Sequence, residues 1–297
     1  MADQQDPVTV AVVDDVLVSA PEEEVAKRKL GIGFWIAVGW IILVTGLALL
    51  APILPISGWN EKVGGRLDSP SFSHWFGTDS SGRDVFARTI WGARVSLYVG
   101  FFAIVAGMGI GGPLGILAGY FRGKFDAVIS FIFVSLLSFP SLVLALMIVH
   151  SLSRSLNVVA MVLGILAIAP IGRLARANTI VFAEREFVQA ARVIGAKDMR
   201  IMVRELLPNV LIPMGALALL GVAVAIVAEG GLAFLGLSVQ EGASWGKMIL
   251  QGSDSRTLRK GTHVAMSPIV VMFLTVLALN YAGDRVRSYF DVRETAF

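Results

Sequence analysis

Four groups of residues have types and spacings that could do chemistry. The first is a lone acid. Glu229 stands in an otherwise apolar run from about Asn209 to Leu237. A carboxylate at membrane depth is costly unless something compensates it, so Glu229 reads either as a pathway or gate residue or as half of a structural pair. The second group is the alternation of Asp79, Arg83, Asp84 and Arg88. Paired carboxylates can share acid–base work, but no nucleophile accompanies these. Their alternating signs suit self-neutralising packing, or docking of an external protein at Asp79, Arg83 and Asp84. The third group is glycine beside lysine, at Gly119 to Lys124 and Gly242 to Lys247. A phosphate loop needs four residues between its glycines and a hydroxyl residue after the lysine. Both stretches are one residue short, and Phe125 or Met248 follows the lysine. Neither binds nucleotide, so any ATP is hydrolysed on a partner. The fourth group is His74, His150 and His263, each without a carboxylate at ligand spacing. The chain has no cysteine, which excludes disulfides, thiolate metal sites and cysteine nucleophiles. No metal site is expected, and the chain does not read as an enzyme.

The elements that must position these residues are membrane helices. Of 297 residues, 56% are hydrophobic and 16% charged, against about 25% charged in a soluble domain. The deficit lies in long charge-free runs, each near the ~20 residues that a span requires. Six runs qualify: Leu30 to Leu54, Val95 to Phe121, Ala127 to about His150, Leu156 to Gly172, Asn209 to Leu237, and Val264 to Gly283. The fold class is therefore all-α, a polytopic bundle of about six transmembrane helices. Ala103, Gly107, Gly111, Gly115 and Gly119 put small residues on one face of the second run, where a neighbouring helix can approach closely. Pro140 and Pro170 fall inside runs and should bend them. Asn280, late in the sixth run, is placed to hydrogen-bond between helices or to touch a substrate.

The chain then divides as follows. Residues 1–29 are an acidic, disordered tail with a basic cluster at Lys27, Arg28 and Lys29, and the tail with its long apolar run does not fit a cleavable signal peptide. Residues 30–54 form the first helix, 55–94 an outer loop, 95–284 the core, and 285–297 a C-terminal tail. The net charge of +3 is spread between the runs rather than gathered in a patch, which excludes nucleic-acid binding. Lys27 to Lys29, Arg122, Lys124, the loop from Arg173 to Arg204, and Arg285, Arg287 and Arg293 hold most of the basic residues on one side. By the positive-inside rule both termini are cytoplasmic.

The loop from Arg173 to Leu207 is solvated yet amphipathic. Phe187, Val188, Ala191, Val193 and Ile194 recur at helical spacing, Gly195 ends that pattern, and Asp198 to Leu206 reads as a second short helix. Asp198 is its expected N-cap and Pro208 its close. Such a helix pair is either a surface connector or a docking element for a soluble partner.

These residues resemble the EAA loop of ABC importer permeases, which carries Glu-Ala-Ala, a glycine and then Leu-Pro. Gln189 stands in place of the family's glutamate, with Ala190, Ala191, Gly195, Leu207 and Pro208 in register. Phe76 to Asp84 with Gly92 to Leu97, Glu229 to Leu237 with Ser244, Trp245 and Gly246, and Leu277 to Asn280 with Gly283, Asp284, Arg285 and Asp291 resemble the dipeptide, oligopeptide and nickel branch, specifically the second permease subunit of peptide importers. The resemblance covers about residues 30–293. It implies a type I importer permease in the cell membrane that forms half of a translocation pathway. Its partners would be a second permease, two ATP-binding subunits holding ATP and Mg, and an extracytoplasmic substrate-binding protein. The loop, with coupling residues Arg185, Glu186, Phe187, Gln189, Ala190, Ala191, Arg192, Ile194, Gly195, Leu207 and Pro208, would sit in a cleft of an ATPase. There Phe187, Ala191 and Ile194 would anchor it, with Arg185, Glu186 and Arg192 at the rim. Pro140, Glu229 and Asn280 are the pathway or gate candidates. Peptide is the expected cargo and nickel or another small solute the alternative. A secondary transporter or channel would need several intramembrane acids and would leave the loop unexplained.

Overall fold

The computed structural model describes residues 30–152, 154–237 and 239–294. The acidic tail with its basic cluster and the last residues of the C-terminal tail lie outside the described residues. Eleven helices are named here in chain order: α1 Gly31–Leu50, α2 Val85–Phe121, α3 Gly123–Leu137, α4 Ser141–Ser151, α5 Leu156–Ala183, α6 Glu186–Val193, α7 Asp198–Arg200, α8 Leu207–Phe234, α9 Trp245–Gly252, α10 Ser255–Lys260 and α11 His263–Glu294. Five long apolar stretches, α1, α2, α5, α7 through α8, and α11, can each cross a membrane, and the bent pair α3–α4 makes a sixth crossing if counted as one.

In lipid, helices associate through close packing and hydrogen bonds rather than through hydrophobic burial, so small residues decide which helices meet. The stripe on α2 lies against α5. Gly107 faces Ala167 and Ile171, Gly111 faces the backbone of Ile168 and Gly172, Gly115 faces Gly172 and Ala175, and Gly119 faces Arg176 and Thr179. Gly164 of α5 faces back to Ala103 and Ala106. Gly172 also receives the Phe133 ring of α3, so three helices meet at one residue without a side chain. Around this seam α8 and α11 pack on α2, and α1 lies outermost, with only Ala37, Val44 and Ala48 buried. The bundle has two unlike ends. Residues 51–84 and α9–α10 form one, the cap end; α6, α7 and the start of α8 form the other, the loop end.

Several boundaries differ from the sequence expectations, each for a physical reason. The first helix stops at Leu50, and Ala51 to Leu54 continue only as turns. The second helix begins at Val85, inside the expected outer loop, because Asp84 caps it by accepting from the Phe86 N–H at 2.9 Å, and Arg88 is neutralised there by Asp79. The third run is not one helix. It breaks between Leu137 and Ser141 with a bend of 81°, where the Ser138 hydroxyl takes the Val134 carbonyl at 2.9 Å and Pro140 lacks an N–H and disfavours helix at Phe139. Pro170, by contrast, stays within a continuous helix. The fourth helix continues past Gly172 to Ala183, carrying Arg173 and Arg176 with it, so the loop between the spans is shorter than 173–208. Arg176 forms a two-point pair with Asp126 of α3, with Nη2 to Oδ2 at 2.6 Å. Pro208 does not close a helix either. A π-helical turn, Ile201–Leu206, joins α7 to α8, and the Leu207 N–H reaches the Met202 carbonyl. This wider turn carries the chain past a residue with no N–H to donate. At the far end, α11 runs through Arg285 and Arg287 to Glu294, where a tail was expected.

The seam predicts a sharp contrast between two glycines of the same helix. A side chain at Gly115 would collide with the Gly172 carbonyl, whereas Gly109 faces open space. Gly115→Val should cost about 1–3 kcal/mol or more and lower the melting temperature in detergent followed by tryptophan fluorescence, while Gly109→Val should be close to neutral.

Candidate functional site

At the loop end, α6 presents two faces. Val188 and Ala191 are buried among Ile116 and Tyr120 of α2, Ala175 and Phe182 of α5, and Ile201 and Leu206. On the other side Val193 is 87% and Ile194 80% exposed, with Met199, Val203 and Phe187 beside them. Arg185, Glu186, Gln189, Ala190 and Arg192 are exposed as well. Of the three expected anchors, one is turned into the bundle. Ala191 packs inward against its own bundle, whereas Phe187 and Ile194 remain outward and are joined by Val193 and Met199. Sequence spacing placed Val193 in the apolar stripe without revealing which side of it the bundle covers.

Gly195 ends α6 with φ +80°. Its N–H bonds the Arg192 carbonyl at 3.0 Å, and the Ala196 N–H bonds the Ala191 carbonyl at 3.0 Å. This pairing is a Schellman closure, in which the left-handed residue is almost always glycine. Asp198 is not an N-cap but the first residue of α7. Its Oδ1 accepts from the Tyr120 hydroxyl at 2.6 Å, and the Arg192 guanidinium lies 5.4 Å above the same ring. Leu207 is half-buried and Pro208 exposed at the start of α8.

Midway through the bundle is a cavity of about 430 Å³, lined by α2, α5 and α8 and by the broken pair, with Met108, Leu137, Ser141, Pro170, Met214 and Gly221 on its wall. None of Pro140, Glu229 and Asn280 lines it. Pro140 stands exposed next to Ser141. Asn280 is half-buried on α11. The cavity residues are apolar or small, so nothing in their chemistry marked them out within spans that are apolar all round.

Glu229 is 1% exposed and lies towards the cap end of α8. Its Oε2 accepts from the Ser96 hydroxyl at 3.2 Å, and that same Ser96 oxygen accepts from the Trp245 N–H at 3.3 Å. The Trp245 indole donates to the Thr89 carbonyl at 3.0 Å, and Gly246 lies directly against Gly230. Glu229 thus belongs to a buried polar tie between α2, α8 and α9. The Lys247 ammonium closes the preceding turn by donating to the carbonyls of Val239, Gln240 and Gly242 at 3.1–3.2 Å. Burial pushes it below the usual lysine range, as do Arg88 and Arg83, while Glu229 opposes them.

The cap itself is organised by Asp79. This carboxylate is 2% exposed and accepts from the backbone N–H groups of Ser81 at 2.7 Å and Arg83 at 3.1 Å, from Arg83 Nε at 2.7 Å, and from Arg88 Nη1. Arg88, equally buried, reaches on to Gln251 of α9 at 2.9 Å. Burial acts to raise the Asp79 carboxyl, but the Arg83 N–H, the Arg88 charge and the other donors outweigh it and hold the group below its ordinary value. Of the three expected docking residues, Asp79 is thus buried, Asp84 caps α2, and Arg83 pairs with Asp79 and donates to Asn60. Among the described residues no group of three or more His, Asp or Glu is arranged to hold a metal.

Comparison with known proteins places this arrangement. Residues 111–295 match the model of a family described as the binding-protein-dependent transport system inner membrane component. A dipeptide transport system permease protein of Alkalihalophilus pseudofirmus is 40% identical over 272 residues, covering 91% of this chain and 88% of the relative. A glutathione transport system permease protein of Pectobacterium atrosepticum is 34% identical over 287 residues, covering 95% of each. In fold, the chain is similar to a structure of the inward-facing methionine ABC transporter MetNI, with a TM-score of 0.58 and 21% identity over 69% of this chain and 97% of that one.

Two substitutions test the ends of the bundle. Asp79→Asn leaves Arg88 buried beside an uncharged group and should cost about 3–5 kcal/mol, read as a fall in melting temperature. The Asp79 value is lowered in the folded state, so its contribution is fully present above the ordinary 3.8 and fades as pH falls through the depressed value. The wild type should therefore lose stability more steeply than Asp79→Asn as the pH falls from the ordinary 3.8 towards the depressed value. At the other end, Gly195→Ala places a side chain in the left-handed region and should cost about 1–2 kcal/mol, seen as faster local hydrogen exchange in α6.

Proposed function

The chain belongs to the family of binding-protein-dependent transport system inner membrane components and is a permease subunit of an ABC importer; from that premise we propose that it moves short peptides and takes its drive from a soluble ATPase docked on α6. The observation that carries this reading is the set of exposed apolar residues at the loop end, Phe187 and Val193 on α6, Ile194 at its C-cap and Met199 on α7, while Val188 and Ala191 of α6 are packed into the bundle. Apolar residues exposed together in this way mark a protein contact. The exposed charges of Arg185, Glu186 and Arg192 supply its polar rim. Gln189 in place of a glutamate removes one charge from that rim and leaves the helix–glycine–helix geometry intact.

In this reading the loop end is cytoplasmic, as the basic residues of Arg122, Lys124 and the α5–α8 connection favour, and both termini lie on that side. ATP and Mg are held by two partner ATPases, since neither near-miss glycine stretch has the spacing of a phosphate loop. A second permease would complete the pathway by covering the exposed apolar surface of α3, α4 and the break between them, including Phe131, Phe139, Leu142 and Met147. An external binding protein would deliver cargo at the cap end. Peptide is favoured over nickel because the relatives named for dipeptide and glutathione match most of the chain, and because the cavity wall is apolar and carries no metal-ligating histidine or carboxylate.

The contact is tested on its ridge. Ile194→Asp places an unpaired charge at an outward position whose side chain supports nothing in the bundle. Binding of the ATPase subunit to the permease in nanodiscs should weaken by about 2 kcal/mol or more, roughly thirtyfold, with membrane insertion unchanged. Unaltered binding would remove α6 as the docking element.

A further inference from the structure

A second cavity, of about 150 Å³, opens between α1 and α2 in the half of the bundle nearer the cap. Ile90 and Ala93 of α2 and Val44 of α1, all buried, line its inner side. Leu43, 52% exposed, stands at its mouth, and Phe76 and Phe86 close it towards the cap. It shares no lining residue with the larger cavity. Nothing in its wall calls for water. The Thr89 hydroxyl donates to the Val85 carbonyl at 2.7 Å, and the Trp40 indole donates to the Thr275 hydroxyl at 3.1 Å. Water needs two or more polar partners to occupy a cavity, whereas an apolar one of about this size stays dry and takes hydrocarbon.

The hydrocarbon at hand is lipid. The helix α1 is apolar along its whole length, and Ile36, Ile42 and Leu49 are exposed on it. The broken pair α3–α4, where a second permease would sit, packs on α5, whereas α1 packs on α11 and α2. The mouth therefore lies on other helices, at a depth where the surroundings are acyl chains. The segment above it fits the same surroundings. Ser71 and His74 exchange N–H to carbonyl bonds at 2.9 and 3.2 Å, which leaves Phe72 fully exposed at the tip of a tight turn. Trp75, 61% exposed, lies with its ring 4.9 Å from that of Phe86, and Phe76 meets the same ring edge-on at 5.2 Å. Aromatic side chains exposed at the end of a span settle at the headgroup level. The turn thus marks the edge of the hydrocarbon, one layer of rings above the groove.

We propose that this groove is a phospholipid site: one acyl chain enters past Leu43 and lies between α1 and α2 beneath Phe76 and Phe86, with its headgroup at the level of Phe72 and Trp75. The bound chain supplies a contact that α1 lacks. That helix buries only Ala37, Val44 and Ala48, so a lipid held between Leu43 and Ile90 fills the gap in its seat. The site selects for chain rather than for headgroup, because its wall offers hydrocarbon contact alone.

The test counts lipids on the full chain. The protein is purified in mild detergent, washed free of loosely held lipid, and titrated with palmitoyl-oleoyl phosphatidylglycerol while native mass spectrometry follows the bound mass. The wild type should hold one phospholipid through the wash and refill that site first. Ala93→Phe fills the inner side of the groove and should lower retention about tenfold or more. Ala93 is buried, so a second variant, Leu43→Trp, narrows the exposed mouth and leaves the core untouched; it should lower retention in the same direction. Ile42→Trp, on the same helix and 65% exposed but outside the groove, should bind as the wild type does. A wild type stripped of all phospholipid by the wash would overturn the proposal. So would full retention in Leu43→Trp, or an equal loss in Ile42→Trp, which would mark the lipid as a general coat of α1.

Discussion

Everything in this bundle depends on how closely α2 and α5 approach. Two helices in lipid gain nothing by hiding apolar surface from each other, so their contact must come from backbone meeting backbone. The glycines of α2 and Gly164 and Gly172 of α5 permit that approach over most of their length. Because much of the seam is backbone, it has few soft side chains with which to absorb a shift. Gly172 extends the same logic to α3 by receiving the Phe133 ring. The result is a stiff three-helix unit on which α8, α11 and α1 are arranged, and against which the loop end and the cap end are held.

The two ends solve the burial of polar groups differently. At the cap end, charges are locked away: Asp79 holds two arginines, Arg88 passes the connection to Gln251, and Glu229 ties α9 to α2 through Ser96. Removing one member leaves another buried and unpaired, so the end resists change. At the loop end the contacts are the Tyr120 phenol, the Arg192 guanidinium above it and the exposed Arg122–Glu184 ion pair. Such contacts can rearrange without stranding a charge in the interior. The two ends of the bundle therefore differ in how readily their contacts can change.

The sequence made the helical class, the number of crossings, the amphipathic loop and the family legible, because apolar run length and motif order are local properties. It misplaced what depends on partners distant in sequence. Val85 begins α2 because of Asp79 and Asp84, and Arg173 and Arg176 stay helical because Asp126 of another helix compensates one of them. Pro140 and Pro170 look alike in a hydropathy profile, yet only the first breaks its helix, and only there does a neighbouring serine compete for the carbonyl. The cavity was invisible for a different reason: its wall is built from the same aliphatic residues that face lipid. Ala191 and Val193 differ in role only because one side of α6 rests on the bundle.

The π-helical turn after α7 makes Asp198 to Phe234 one rod of 37 residues, equal in length to α2. At 1.5 Å per residue each is about 55 Å long, against a hydrocarbon thickness of about 30 Å. Each rod is therefore longer than the hydrocarbon it crosses. Only α1, with 20 residues and so about 30 Å, matches the lipid, and it sits at the periphery. A thicker or thinner membrane is therefore felt first by α1, which can tilt. The spacing between the loop end and the cap end is set by helix length.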